Sequence, residues 1–549
     1  MRAWKSVGVA ALLTAASCVQ VLGGDHPYNP GEPVGGGGTG GTSELCTPGE
    51  TRLCYSGPAG TEGIGDCTAG VRFCSYNGME WGSCEGEVFP AAEDCSLPGD
   101  EDCDGAAVNA CTGTPMAAFT PGGNTVAPLG DGIYDVAVTP DGGYVIAGVV
   151  GAKMNEVLLP AETGSVFVAK IHPDGTLQWQ KEFQSSTGAA FAYGVAVSPA
   201  GRVTVVGEFG GEINFGGSVL LAQSYDIFIV TLDAMGAHVW SKRFGTTSRQ
   251  SALDVDADAA GNLYVTGLVT GVNVSLGGAP VTPDGQDLFV ASYDSAGNHL
   301  WSSVFVNGGT QVGRHLTVTR DGNVAVVGDA AGDAVGDANF GGSNLPNGGD
   351  TDLVVAMYAS NGAHIWSERF GEFGSSQFTG HIAAAPNGGN ILIAGRFTGK
   401  VDFGGGQMSA AGLWDTFVAE LAAANGEPVR SKRFGLSGTS LGTGIAVDGA
   451  GNVTVTGLFN GSVDFGSGTI TTGDGYDIFV AKLAAADWSP LWTKTFGVNG
   501  TQAAWAITAD AKGDVIVGGS FDSQIAFGAP LATIPSSGGA DLFSVRLAP

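Results

Sequence analysis

Positive charge is scarce in this chain. Only 23 Lys and Arg stand against 53 Asp and Glu, a net charge of −30. So acidic a surface repels phosphate backbones, which excludes nucleic-acid binding and argues against adhesion to anionic lipid. Long apolar runs are scarce too: past the N-terminal segment none reaches the ~18 residues that a membrane-spanning helix needs, so no transmembrane helix is expected in the mature chain. No H-E-x-x-H or Walker pattern occurs, no C-x-x-C pair occurs, and only seven histidines are present. No convincing amphipathic helix can be found.

What the chain has instead is a repeat. The phrase W-S-K-R-F, then V-A-V-x-x-x-G-N-V-x-V-x-G, then F-G-G, then D-x-F-V-A-K-L-D-A-x-G recurs along its last three-quarters. Its Trp appears as Trp179, Trp240, Trp301, Trp366 and Trp492, with Arg430 in the slot before the last, at intervals of 61, 61, 65, 64 and 62 residues. A fixed period of this length marks one supersecondary unit repeated. Each unit holds four short alternating runs, in the second unit 194–198, 202–207, 226–232 and 238–244. Turns such as Pro199-Ala200-Gly201 and Ala450-Gly451-Asn452 join the first two runs. Four-stranded sheets repeated radially make a β-propeller.

The D-x-F slot occurs seven times, at Ser165–Phe167, Asp226–Phe228, Asp287–Phe289, Asp352–Val354, Asp415–Phe417, Asp477–Phe479 and Asp541–Phe543. The seventh unit ends at Pro549 without a fourth strand. Pro115–Phe119, ahead of the first unit, has the W-x-x-x-F spacing with Pro in the Trp slot. This segment is expected to close the ring as the outermost strand of blade seven, which removes two open edges. The fold class expected is all-β, a seven-bladed β-propeller preceded by a small disulfide-rich module. The blades exceed the ~40–45 residues of a common propeller repeat. The excess is read as a loop between the second and third strands, for example Gly207–Tyr225, carrying the F-G-G phrase. Phe215, Phe340, Phe403, Phe465 and Phe527 share its slot, with Leu276 in the third blade, and are read as packing residues. This register resembles the bacterial SBBP-type beta-propeller repeat family over about 430 of the 549 residues. The resemblance implies a propeller in an exported protein and brings no catalytic residues with it.

The N-terminus reads as a targeting segment. Arg2 and Lys5 precede an apolar run, Val7–Ala16, and Ala15-Ala16-Ser17-Cys18 resembles a lipobox, in which Cys18 becomes the lipidated N-terminus. Ordinary cleavage after Ser17 or Gly23 is the alternative. Nine cysteines are present, and assigning Cys18 to lipid leaves an even eight. The division expected is a signal peptide at 1–17, a Gly/Pro-rich tether at 18–44, a cysteine-rich module at 45–114 and the propeller at 115–549. The location expected is the outer membrane or cell surface, held there by the lipid alone. The state expected is a monomer.

Cys46, Cys54, Cys67, Cys74, Cys84, Cys95, Cys103 and Cys111 all fall in the module, which is too short for a good core, so disulfides are the expected staple. A zinc site is the alternative, disfavoured because the module has no His. Within it, Asp100-Glu101-Asp102-Cys103-Asp104-Gly105 has the front half of a calcium loop, with Asp100, Asp102 and Asp104 as candidate ligands. Cys111 stands where an EF-hand has Glu, so it is not an EF-hand. The phrase, with Glu93 and Cys95 upstream, resembles the metal-binding repeats of bacterial MopE-type surface proteins. A solvated acidic turn is the other reading; calcium is the only cofactor suggested.

Candidate binding residues follow the blade register. His238, His299 and His364 sit two residues before the repeat Trp, on the rim, too far apart to share a metal. The D-x-F aspartates are read as exposed and structural, opening third strands. Gln250, Gln311, Gln377 and Gln502 each stand five residues before the first-strand hydrophobe, and Tyr134, Tyr193, Arg314, His315, His381 and Trp505 stand next to the strand start. Amides, aromatics and charges converging at a channel mouth suit a glycan or a cell-surface protein; the glutamines could equally cap backbone. Two functions remain open. One is a surface binding scaffold, the other a polysaccharide lyase or hydrolase on the same face. No catalytic residue is assigned.

Overall fold

The computed structural model describes residues 46–58, 61–64, 66–75, 80–90, 112–120, 131–151, 164–331, 338–386, 388–472, 475–510, 512–536 and 539–549. Every regular element among them is a strand. Seven sheets share one plan, with the first strand of each unit innermost and the fourth outermost. Blade one, for example, runs Gly132–Val138, Tyr144–Val150, Ser165–Ile171 and Leu177–Gln184 in spatial order. Blade seven is Gln502–Ala509, Val515–Phe521 and Asp541–Leu547, completed by Pro115–Phe119 from the far end of the chain. The all-β seven-bladed propeller is therefore the observed fold.

Burial follows strand position. The third strand Asp287–Tyr293 is buried throughout, while the outermost Leu177–Gln184 alternates toward solvent. The core is not one mass but a series of layers between neighbouring blades. One layer joins Val145 and Val168 of blade one to Val205, Phe209, Phe228 and Val230 of blade two. No blade buries its own faces, so the ring must close for any blade to be stable.

Two repeated devices tie neighbouring blades together over most of the ring. The repeat Trp reaches the turn before the outermost strand of the following blade: Trp179 Nε1 donates to the Ala234 carbonyl at 3.0 Å, Trp240 to Ser295 at 3.2 Å, Trp301 to Ser360 at 2.8 Å and Trp366 to Ala423 at 2.7 Å. Arg430 does the same work in its slot, donating to Ala485 and Ala486. Aromatic contacts form the second device. Phe403 packs 4.7 Å from Phe417 of its own blade and 5.0 Å from Phe370 of the preceding one. Phe465 repeats this against Phe479 and Phe434.

The segment 207–225 is not a loop but a hairpin extension: strands Val203–Ile213 and Leu220–Leu232 stay paired beyond a bulge, leaving only Asn214–Val219 as the tip. Phe215 is buried beneath it because the F-G-G glycines let the tip fold onto His238. The D-x-F aspartates are not exposed. Asp226, Asp287, Asp352 and Asp415 are fully buried or nearly so. Three of them pair with the Arg of W-S-K-R-F: Asp226 with Arg243 at 2.5 Å, Asp352 with Arg369 at 2.6 Å and Asp415 with Arg433 at 2.5 Å. Pro115–Phe119 does pair with the third strand of blade seven, but the expected register is wrong by two residues. Ala117 lies opposite Arg546, the position that Trp240 takes opposite Thr231, so Ala117 holds the Trp slot and Pro115 the slot of His238. Gly113 anchors this register, since its missing Cβ makes room for Trp492 just as Gly236 makes room for Trp179.

In the N-terminal module, strands Thr51–Cys54 and Gly70–Phe73 pair, and disulfides join Cys46 to Cys74 and Cys54 to Cys84. Cys67 is disulfide-bonded too. Cys18, Cys95, Cys103, Cys111 and the Asp100, Asp102, Asp104 cluster lie outside the described residues, as does the tether.

Candidate functional site

Each innermost strand pairs with its second strand through a single β-bulge, at the same place in every blade. The residue left over is Tyr134, Tyr193, Leu253, Arg314, Gly380, Thr443 or Trp505. A bulged residue leaves the ladder and its side chain is re-aimed. All seven line one cavity of about 470 Å³ at the channel mouth, together with His315, Asp329, Phe378, Thr379 and Arg396. A second cavity, of about 290 Å³, continues along the axis and is lined by the innermost strands of all seven blades. Opposite each bulge stands the glycine that ends the V-x-V-x-G part of the repeated phrase: Gly148, Gly207, Gly267, Gly328, Gly395, Gly457 and Gly519. A Cβ there would come within 1.8–2.3 Å of an innermost-strand carbonyl oxygen, so glycine is obligatory. That glycine was the sequence signal for the mouth.

The structure brings Tyr134, Tyr193, Arg314, His315 and Trp505 together at this mouth, and places His381 in the channel just below. Tyr134 and Tyr193 lie 5.8 Å apart between ring centroids, and burial pushes the Tyr134 hydroxyl up to about 12, with Asp131 adding to the effect. The Tyr193 hydroxyl donates to Glu208 at 3.0 Å, and Glu208 is held by Arg249 at 2.6 and 2.8 Å. Arg314 donates to Asp329 at 2.7 Å. Arg396, missed in the sequence, lies 5.2 Å from the Phe378 ring and 5.9 Å from Trp414, and burial lowers its pKa. Trp505 is the most open aromatic of the ring, 36% exposed.

The glutamines do not join them. Gln250, Gln311, Gln377 and Gln502 are buried, and none lines either cavity. Their amides donate to backbone: Gln250 to Thr270, Gln377 to Lys400, Gln311 to Gly308 and Gln502 to Asn499. This places them as backbone caps, the other reading their spacing allowed, because their amides are buried against loop carbonyls away from both cavities. The rim histidines are likewise structural. His238, His299 and His364 each contact the Ser three residues on, at 3.0–3.2 Å. A G-x-S-x-G pattern does occur, at 438–442, but it does not form a nucleophile elbow. Ser440 is buried inside the strand Ser437–Val447 against Thr416 at 2.7 Å, not on a strand-to-helix turn.

Carboxylates in the channel stitch blade to blade, and the sequence reading did not find them. An innermost strand has an edge with no neighbouring strand, so its N–H groups need acceptors. Asp135 accepts from Val195 N–H at 2.7 Å, Asp254 from Leu316 at 2.8 Å, Asp256 from Val318 at 2.8 Å and Asp329 from Thr379 at 3.0 Å, each donor in the next blade. Burial raises the pKa of Asp254 and of Asp256 to about 6, and that of Asp135 well above its usual range. Burial holds His315 and His381 down to about 4.

A raised carboxyl pKa means that stability is complete below the unfolded value and is lost as pH rises through the folded one. For Asp256 that window runs from near 4 to about 6, worth up to ~3 kcal/mol. Asp256→Asn keeps an acceptor for Val318 but cannot ionise. Its stability relative to the parent, measured by urea unfolding, is expected to be worse at pH 4.5 than at pH 7.5 by up to that amount. A difference independent of pH would show that the carboxylate is solvated.

No known protein-family profile matches the chain. It is similar to the regulatory protein FlaEY of Caulobacter vibrioides, 28% identical over 224 residues, which is 40% of this chain and 23% of that protein. It is also similar to an uncharacterized WD repeat-containing protein of Acanthamoeba polyphaga mimivirus, 23% identical over 167 residues, 28% of this chain and 12% of that protein. The chain thus spans less than a quarter of either protein. Among solved structures it is similar to YCF48 bound to a peptide, with 10% identity, a TM-score of 0.38, and coverage of 79% of this chain and 96% of that one. These similarities carry no argument about what this chain binds.

Proposed function

We propose that this chain is an exported, membrane-anchored binding scaffold whose propeller mouth recognises a glycan or a peptide segment of a cell-surface protein. The observation that supports it is the mouth itself. A cavity of about 470 Å³ gathers Tyr134, Tyr193, Phe378 and Trp505 with the guanidinium groups of Arg314 and Arg396. Aromatic walls with a few fixed polar groups are the usual make-up of a ligand site. Arg314 is committed to Asp329, so Arg396 is the cation that favours a ligand with a carboxylate or another anionic group.

The test is a screen of the purified chain on glycan and peptide arrays, with and without calcium. Binding is expected, and Trp505→Ala is expected to weaken it about tenfold, because an open aromatic lining a site is a typical anchor. Arrays without a hit, or binding unchanged by Trp505→Ala, would sink the reading. Cleavage of a bound polysaccharide would replace it with the lyase or hydrolase reading.

Anchoring rests on Cys18 and on the SBBP-like and MopE-like phrases, with residues 18–44 as the tether and the cysteine-rich module, loaded with calcium at Asp100, Asp102 and Asp104, as the stalk. Cys18→Ala is expected to move the protein from the membrane fraction to the soluble one. A variant that still sediments with outer membrane would exclude lipidation as the anchor.

A further inference from the structure

We infer that Asp254, His315 and His381 form a binding site for one divalent transition-metal ion of the zinc class. The three residues hold one register position on three consecutive blades. Each directly follows its bulge residue, in Leu253-Asp254, Arg314-His315 and Gly380-His381. The same position elsewhere in the ring is Asp135, Gly194, Gly444 or Ala506. Three donors therefore converge on one side of the channel, and mostly small residues leave the other side open. His315 belongs to the mouth cavity, and Asp254 and His381 to the channel cavity, so the cluster sits where the two meet.

The geometry fits an ion. One ligand atom from each residue can be chosen so that all three lie within 4.8 Å of one another. His315 Nδ1 and Asp254 Oδ2 are 3.4 Å apart. Two ligands each ~2.1 Å from zinc and at a tetrahedral angle stand ~3.4 Å apart. The two imidazole rings lie 4.5 Å apart between centroids. His381 Nδ1 is buried with no hydrogen-bond partner, an orphan that coordination would satisfy.

The carboxylate is already oriented for the task. Asp254 Oδ1 accepts from Val255 N–H and Oδ2 from Leu316 N–H, both at 2.8 Å. Each carboxylate oxygen has a second lone pair, so these bonds aim the group without exhausting it. Two imidazole nitrogens and one carboxylate oxygen suit zinc, cobalt or iron(II), whereas calcium and magnesium prefer oxygen throughout. Three protein ligands leave a coordination position that faces the channel and that water would fill.

The test uses the full chain, stripped by a chelator and titrated with Co²⁺. One equivalent is expected to bind with visible d–d absorption, and Zn²⁺ is expected to displace it. His315→Ala and His381→Ala should each weaken Co²⁺ binding ~100-fold or more while far-UV circular dichroism is unchanged, and Asp254→Asn, which keeps the Leu316 contact, ~10-fold. Should a variant fail to fold, proton NMR of the Co²⁺-loaded parent is to show paramagnetically shifted imidazole resonances from two histidines. No binding at submillimolar Co²⁺ would overturn the inference. So would absorption that survives both histidine substitutions, or shifted resonances that arise only from His238, His299 or His364.

Discussion

A chain that begins at Asn124 is expected to melt roughly 5–10 °C below the full-length protein and to aggregate on heating. The lost strand, Pro115–Phe119, pairs with Asp541–Leu547, and the ladder continues where Ala548 N–H donates to Thr114 at 2.9 Å. Each bond of such a ladder is worth ~1 kcal/mol net. Ala118 and Phe119 add apolar cover over two of the inter-blade layers. Several kcal/mol in a ring whose layers depend on closure gives a drop of that size. The exposed edge of Asp541–Leu547 would then be free to pair with other chains. A chain that begins at Thr112 separates this effect from loss of the cysteine-rich module: it retains Gly113 and the strand, and should melt close to the parent. Equal melting of the two truncated chains would mean that the strand contributes nothing to closure.

That strand also shows how far the sequence could be read. The period, the blade count and the use of an N-terminal segment for closure were legible, because the Trp and D-x-F slots recur at nearly constant spacing. The register was not. P-x-x-x-F mimics W-x-x-x-F by spacing alone, while the controlling residue is Gly113, whose meaning depends on Trp492 lying against it from another blade. The mouth was half legible. Tyr134, Tyr193, Arg314 and Trp505 were found by alignment, but Phe378 and Arg396 enter from a bulge's neighbour and from a second strand, places that no one-dimensional register marks. Asp135, Asp254 and Asp256 look like ordinary strand residues until the next blade's unpaired N–H groups are beside them. The glutamines misled for the converse reason, since a repeated amide that caps backbone has the same spacing as one that faces a ligand.

The seam of the ring predicts the second large effect. Between blades one and six the Trp slot latches each blade to its neighbour, but at the seam Ala117 stands in that slot, and among the described residues the Trp492 indole N–H has no acceptor. Buried cations act there instead. Lys482, with its side chain fully buried, pairs with Asp448 at 2.9 Å and donates to Gly513 of blade seven at 3.1 Å. Arg546 donates to Asp514 at 2.7 Å, to Asp510, and across the seam to the Gly142 carbonyl of blade one at 2.8 Å. Arg546→Met removes the cation and leaves two carboxylates facing each other out of water. Burial already raises both of their pKa values, and Arg546 is what opposes it. Breaking a buried pair in this way costs ~3–5 kcal/mol. Chemical unfolding of Arg546→Met is expected to show that loss at pH 7.5. Without the Arg both carboxyls titrate higher still in the folded state, so the variant regains stability as pH falls through those values and its deficit should shrink toward pH 4.5. Adding Asp510→Asn and Asp514→Asn should restore much of the deficit at pH 7.5, because amides tolerate burial without a counter-charge. A loss below ~1 kcal/mol at pH 7.5 would place the cluster among solvated surface pairs and leave the seam to its strand alone.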